Sequence, residues 1–243
     1  DALVLRTYDF GETSRIVVFL SRAHGKLRAV AKGARTPRSR YRSALEPLSE
    51  VRAALHGREG AELHGLGQCE LLRSAVPVAA KGLEAALVLG YLAELLDAFC
   101  VEGDQEDKSY RLAVAVLRAL EEGGDPLVLA RYAEAWLLRL HGVYPQIDRC
   151  ATCNLPLGAG ELRYHAPARG FVGEECGPGS GPSLSAGVRS ALTEAFSRPP
   201  SGLTQGAALR SLESFHQDLI GYHLERSLRS YRVLRDALRE TRG

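Results

Sequence analysis

The spacing of apolar residues changes character several times along this chain. Up to about residue 70 it gives short runs with partial alternation: Ala2–Tyr8, Arg15–Ser21, Lys26–Lys32, Leu48–Leu55 and Glu62–Leu66. Turn-forming clusters separate them at Asp9-Phe10-Gly11, His24-Gly25, Thr36-Pro37 and Gly57-Arg58-Glu59-Gly60. Five short strands in so little chain predict a small antiparallel barrel, with the five-stranded OB-fold barrel as the obvious candidate. After Pro77 the period becomes helical. Leu83, Leu87, Tyr91, Leu95 and Phe99 step by four, and Tyr110, Ala113, Leu117 and Leu120 mark a second helix. Asp125-Pro126 offers an N-cap and a first-turn proline for a third, which runs through Leu129, Tyr132, Trp136 and Leu140 and stops at His141-Gly142. Residues 143–183 have no helical period and are rich in Pro and Gly, a module that needs a staple to be ordered. A short helix over Ser185–Phe196 and a long one over Thr204–Arg239, bent at Gly221, complete the pattern. The predicted class is α+β: a small barrel, with the OB fold as one candidate, over residues 1–76, a helical bundle domain over 77–142 and 184–243, and a loop-rich module over 143–183.

Composition alters this picture little. The 45% hydrophobic and 25% charged fractions are those of a folded globular chain. No apolar run approaches the roughly 18–20 residues that span a bilayer, so no membrane role is expected. Asp1-Ala2-Leu3-Val4-Leu5-Arg6 reads as a strand, not a signal peptide. Five cysteines, an odd number, do not suggest a secreted disulfide framework, and a reducing cytoplasm is expected.

Charge changes it more. Arg22, Lys26, Arg28, Lys32, Arg35, Arg38, Arg40 and Arg42 fall in one segment with no Asp or Glu. The whole chain is +2; without these eight, 23 cations face 29 acids, a net of −6. Arginine supplies 27 of the 31 cations, a bias that a GC-rich genome produces by itself. The absence of acids is the better signal of a polyanion binder. In a strand over 26–32, Lys26, Arg28 and Lys32 share a face with Val30, and the other four arginines follow around Pro37. Tyr41 among them suggests an aromatic for stacking a base, as in barrels that hold single-stranded nucleic acid without reading its sequence. A solvated arginine-rich loop is the plainer reading.

Cys150-Ala151-Thr152-Cys153 has the spacing of one half of a tetrahedral zinc site. The other half is incomplete: in Gly173-Glu174-Glu175-Cys176 a glycine stands where a third thiolate belongs. Cys150, Cys153 and Cys176 are the candidate ligands, with His165 the nearest nitrogen and Glu174 or Glu175 weaker fourth partners. An open site, or none and a module held by packing, are the alternatives. A thiol–disulfide oxidoreductase using Cys150 and Cys153 would need that motif at a helix N-terminus beside a βαβ unit, and none is predicted. Cys69 and Cys100 read as buried apolar residues. Trp136 with Arg131 and Arg139 suggests a pocket for an acidic peptide, although a helical tryptophan is more often core. There is no phosphate-binding glycine loop, nucleophile elbow or clustered carboxylate pair, so no enzyme is expected.

The residues then reach a family. Ala2-Leu3-Val4-Leu5, Tyr8-Asp9-Phe10-Gly11-Glu12-Thr13-Ser14-Arg15-Ile16 and His24-Gly25-Lys26 resemble the RecO family of bacterial DNA repair proteins. So do Ala31-Lys32-Gly33-Ala34-Arg35, Leu45-Glu46-Pro47, Gly142-x-x-Pro145, the Cys150–Cys153 pair and Gly170-Phe171-Val172 after Pro167. The resemblance implies an OB domain, a helical domain and a zinc-ribbon-like insertion. It implies a recombination mediator that binds single- and double-stranded DNA and anneals complementary strands. Its implied partners are RecR and the acidic C-terminal tail of single-strand-binding protein, and its implied role is to help load RecA. The place of action would be the cytoplasm, at the nucleoid. Lys26, Lys32 and Arg35 match the family's basic motif; Arg28, Arg38, Arg40 and Arg42 are added on charge alone. Gly173 departs from the family's four-cysteine pattern. A helical adapter that binds no DNA is the remaining alternative.

Overall fold

The computed structural model describes residues 1–58, 60–177 and 180–241. Glu59 of the expected turn and Pro178 of the cysteine module therefore lie outside the described residues. The chain folds as two compact units, Asp1–Pro126 with Leu228–Gly243, and Leu127–Ser227.

The first unit opens with five strands: β1 (Ala2–Phe10), β2 (Ser14–Ser21), β3 (Gly25–Ala31), β4 (Glu50–His56) and β5 (His64–Arg73). They close into a barrel in the order β1-β2-β3-β5-β4, with β4 returning to β1 through Ala2↔Val51 and Leu3↔Glu50. Closure is parallel between β3 and β5 and antiparallel elsewhere, so no strand edge is left open. Alternation supplies the core: Val4, Val17, Phe19, Ala29, Ala31, Val51 and Leu66 point inward as one buried cluster. A bulge between Val4 and Arg6 bends β1 so that it can serve both neighbours. The four earlier strands lie within two or three residues of their predicted bounds. The fifth runs seven residues beyond the predicted end at Leu66. Gly65 and Gly67 interrupt its pattern, and its far half exposes Leu71 and Leu72, so alternation gave no signal there.

Helices α1 (Val76–Ala79), α2 (Leu83–Phe99) and α3 (Asp107–Glu121) follow the barrel. Helix α2 buries Tyr91, Leu95 and Phe99 of the predicted stripe and widens it with Val88 and Leu92, while Leu83 is exposed. The expected long C-terminal helix is not continuous. Residues 206–212 are a 3-10 turn, α6 (Glu213–Leu224) follows, and Glu225 enters the left-handed region at φ 55°. The chain then restarts as the last helix, α7 (Arg229–Glu240), which belongs to the first unit. Gly221 lies inside α6 and makes no bend. The four-residue step from Leu224 to Leu228 hid the break. Helix α7 packs on α2 through Tyr231 and Tyr91, whose ring centroids are 5.9 Å apart. The Glu94 carboxylate of α2 accepts the backbone N–H groups of Arg229 and Ser230 at 3.1 and 2.7 Å, capping the α7 N-terminus.

The second unit contains α4 (Pro126–Leu140, entering at Leu127), a small sheet β7-β6-β8, and α5 (Ala186–Ala195) with α6. The strands are β6 (Leu162–His165), β7 (Gly170–Val172) and β8 (Ser183–Leu184). Packing anchors the cysteine module here. Phe171 is fully buried against Phe215 at 5.7 Å, and Tyr164 meets the same ring edge-on at 5.3 Å. A buried polar network crosses the unit. Glu134 Oε1 pairs with Arg131 Nη2 at 2.9 Å and Oε2 with His216 Nδ1 at 2.9 Å, while Tyr144 Oη lies 3.1 Å from His216 Nε2. Arg131 therefore serves the core and is not available to an acidic peptide. Trp136 donates its indole N–H to Ala195 O at 2.9 Å, and Arg139 lies over the Phe196 ring at 4.4 Å.

Candidate nucleic-acid interface and cysteine cluster

The predicted basic segment splits into two electrostatic halves. The first is neutralised by acids that sequence distance concealed. Lys26 Nζ donates to the Asp97 carbonyl at 2.6 Å and lies 3.4 Å from its carboxylate, with both side chains largely buried. Arg28 pairs with Glu102 at 2.5 Å and Arg22 with Asp107 at 2.8 Å. These acids sit on α2, at the start of α3 and on the connector between them. Glu102 bridges to Gly25 and Lys26 at the start of β3. Gly25 has φ 63°, and a Cβ there would lie 1.7 Å from the Asp104 carbonyl oxygen, so only glycine admits the connector.

The second half stays in solvent. Ala31 ends β3, and Lys32-Gly33 begins the turn with Gly33 at φ 71°. The segment beyond is a chain of tight turns: Thr36 N bonds Gly33 O at 3.1 Å, Ser39 N bonds Thr36 O at 2.9 Å, and Arg35 N reaches Thr13 O at 2.9 Å. Tyr41 closes it. Its ring is 2% exposed within the barrel core and its hydroxyl donates to Leu66 O at 2.9 Å. It is an anchor, and the expected base-stacking role is overturned by its burial. Lys32, Arg35, Arg38 and Arg40 are exposed around this frame. Among the described residues Lys32 and Arg38 make no ion pair or hydrogen bond through their side chains. Arg40 stacks 5.0 Å above the Tyr41 ring. Arg35 reaches Asp9 at 3.5 Å and Gly11 O at 3.3 Å, and Arg15 shares Asp9 at 3.5 Å. Exposed pairs of this kind contribute about 0–1 kcal/mol, so a phosphate can replace Asp9 at little cost. The Arg42 side chain lies outside the described residues; its backbone starts a 3-10 turn.

Two further residues at this rim were hidden in the sequence pattern. Tyr8 and Phe10, absorbed into a strand end and a turn signal, expose 39% and 48% of their surface on β1 beside the turn that meets Arg35. Their shared parity with Arg6 along the strand was the available clue.

The cysteines converge as the spacing predicted. The Sγ atoms of Cys150, Cys153 and Cys176 lie within 4.8 Å of one another, and no His or carboxylate joins them among the described residues. His165 takes no part: its Nδ1 accepts the Ala168 N–H at 3.3 Å in the β6–β7 turn. Glu174 is engaged with Arg163 at 2.9 Å. The knuckle is shaped by Asn154 in the left-handed region, with Asn154 N bonded to Cys150 O at 2.9 Å. Backbone N–H groups of Cys153 and Gly173 aim at the Cys150 sulfur and hold its thiol down at about 6. Thiol contacts from Cys153 and Cys150 push Cys176 up to about 12. Three thiols this close cannot all ionise without a cation among them, and the cluster suits a thiophilic metal with one position open at Gly173. No helix starts at the pair, so the geometry of a thiol–disulfide oxidoreductase is missing.

The comparisons agree with this architecture. The family model described as recombination protein O N terminal matches residues 1–75, and that described as recombination protein O C terminal matches residues 81–232. A protein of Anaeromyxobacter sp. (strain K) named DNA repair protein RecO is 33% identical over 242 residues, covering 96% of this chain and 93% of its own. Proteins of the same name from Pelotomaculum thermopropionicum and Desulforudis audaxviator are each 34% identical, over 96% and 97% of this chain and 92% and 95% of their own. With both family models matched in order and relatives aligned nearly end to end, the chain belongs to the RecO family of DNA repair proteins.

Proposed function

We propose that this chain is a non-catalytic recombination mediator acting in the cytoplasm at the nucleoid. It holds single- and double-stranded DNA on the turn segment from Lys32 to Arg42 and anneals complementary strands. With RecR it helps load RecA onto DNA coated by single-strand-binding protein, whose acidic tail it binds. The observation that carries this reading is the division of the basic run. The fold neutralises Arg22, Lys26 and Arg28 with its own acids and leaves Lys32 and Arg38 exposed without an acidic partner among the described residues. Lys26, although it matches the family motif, acts in this reading as a bond between barrel and helix, and Arg28 as a secondary contact. Annealing needs only that the repulsion between two phosphate chains be screened, which a cationic rim does without chemistry. An acidic tail on the second unit would meet Arg139, since Arg131 is committed to Glu134. In a strand-annealing assay at low salt the protein is expected to accelerate pairing of complementary oligonucleotides, with the gain lost as salt rises. No acceleration at any salt concentration would sink the proposal.

Zinc is the proposed metal of the cysteine cluster, with Cys150, Cys153 and Cys176 as ligands and a structural effect. Elemental analysis is expected to give about one zinc per chain. Cys176→Ser should lower that value sharply while Cys69→Ser leaves it unchanged; equal zinc in both variants would place the metal elsewhere.

A further inference from the structure

Single exposed rings are common enough on a protein surface to need no explanation. Tyr8 and Phe10 are not scattered singly. They occupy successive outward positions of β1, about 6.7 Å apart along the strand. Arg6 lies 5.6 Å over one face of Tyr8, and Phe10 makes no ring or cation contact among the described residues. Beside them the fold sets its free charge. Lys32 is exposed one step past Ala31, whereas Asp9, shared by Arg15 and Arg35, turns to the other face of the strand at the same end of the barrel, since its register partner Arg15 lies opposite buried Ala31. Two exposed rings in line at the end of the barrel where Lys32 and Arg35 emerge complement a chain of unpaired bases on a phosphate backbone. A duplex hides its base faces and cannot use the rings.

We propose that Tyr8 and Phe10 form a two-base stacking ladder that holds unpaired bases of a single strand, with Lys32 and Arg35 on neighbouring phosphates. This rests on the DNA-binding reading above and assigns a task that charge alone does not perform. The probes are labelled oligothymidine, an abasic oligonucleotide of equal length and a duplex, titrated by anisotropy at fixed low salt. Tyr8→Ala and Phe10→Ala are each expected to weaken oligothymidine binding by on the order of tenfold. Duplex and abasic binding should stay at the wild-type level, and Phe10→Trp should restore affinity for oligothymidine. Alanine variants that bind oligothymidine like wild type overturn the ladder and leave the DNA-binding reading standing. Parallel loss on all three probes, or no rescue by tryptophan, overturns it as well. A wild-type protein that binds none of the probes defeats the DNA-binding reading itself.

Discussion

Replacing Lys32 and Arg35 together by glutamate is expected to abolish DNA binding while the fold survives. The two substitutions remove two of the exposed cations of the turn segment and put two anions where phosphates would lie. Steep dependence on cation number is the rule for phosphate binding, because each contact releases condensed counterions. Survival of the fold follows from what these side chains touch. Lys32 has no side-chain partner among the described residues, and Arg35 makes only exposed contacts to Asp9 and Gly11. The segment is instead held by its backbone turns and by buried Tyr41. A fluorescence titration at low salt, with circular dichroism as the folding check, gives the outcome; unchanged affinity would remove the interface assigned here. Lys26 makes the instructive contrast. Its ammonium lies in a largely buried pair with Asp97, so Lys26→Glu sets two carboxylates face to face and should destabilise the first unit. Loss of binding in that variant would report folding rather than DNA contact.

The second large effect lies in the other unit. Glu134→Ala is expected to cost about 3–5 kcal/mol, the usual loss when one partner of a buried ion pair is removed. The carboxylate is 0% exposed and accepts from Arg131, from His216 and, at 3.0 Å, from Gln217. Trp136 is the only tryptophan and sits in this unit, so its fluorescence in a denaturant titration follows the right transition. A variant within about 1 kcal/mol of wild type would show that the network is dispensable. The same network sets a pH dependence. Burial lowers the His216 pKa from 6.5, against the opposing pull of Glu134. The native histidine stays neutral where the unfolded one has gained its proton. Stability is therefore retained above about pH 6.5 and lost as pH falls below it, at up to about 1.4 kcal/mol per pH unit.

What was legible in the sequence was whatever local spacing determines. Period two located β1 to β4, period four located α2 to α4, and the Cys-x-x-Cys spacing with Cys176 brought three sulfurs together. What stayed hidden depended on partners far along the chain. Asp97, Glu102 and Asp107 are about 70 to 85 residues from the cations they neutralise, so a run of eight charges looked like one surface and folds as two. Tyr41 looked like a stacking aromatic because it stands among arginines; its burial depends on Leu66, on a strand whose far half showed no alternation. The break after α6 was invisible for the opposite reason, since Leu224 and Leu228 keep a helical step across non-helical backbone.

The salt dependence of single-strand binding tests the DNA-holding surface most directly. Lys32, Arg35, Arg38 and Arg40, with Arg42 as a fifth cation in the segment, are the charges assigned to phosphates. The plot of log affinity against log salt for oligothymidine should therefore have a slope of roughly −3. The Lys32→Glu, Arg35→Glu protein should show no measurable binding on the same axis. A wild-type slope near zero, with affinity retained at high salt, would contradict the assignment of the Lys32–Arg42 turn as the DNA-holding surface.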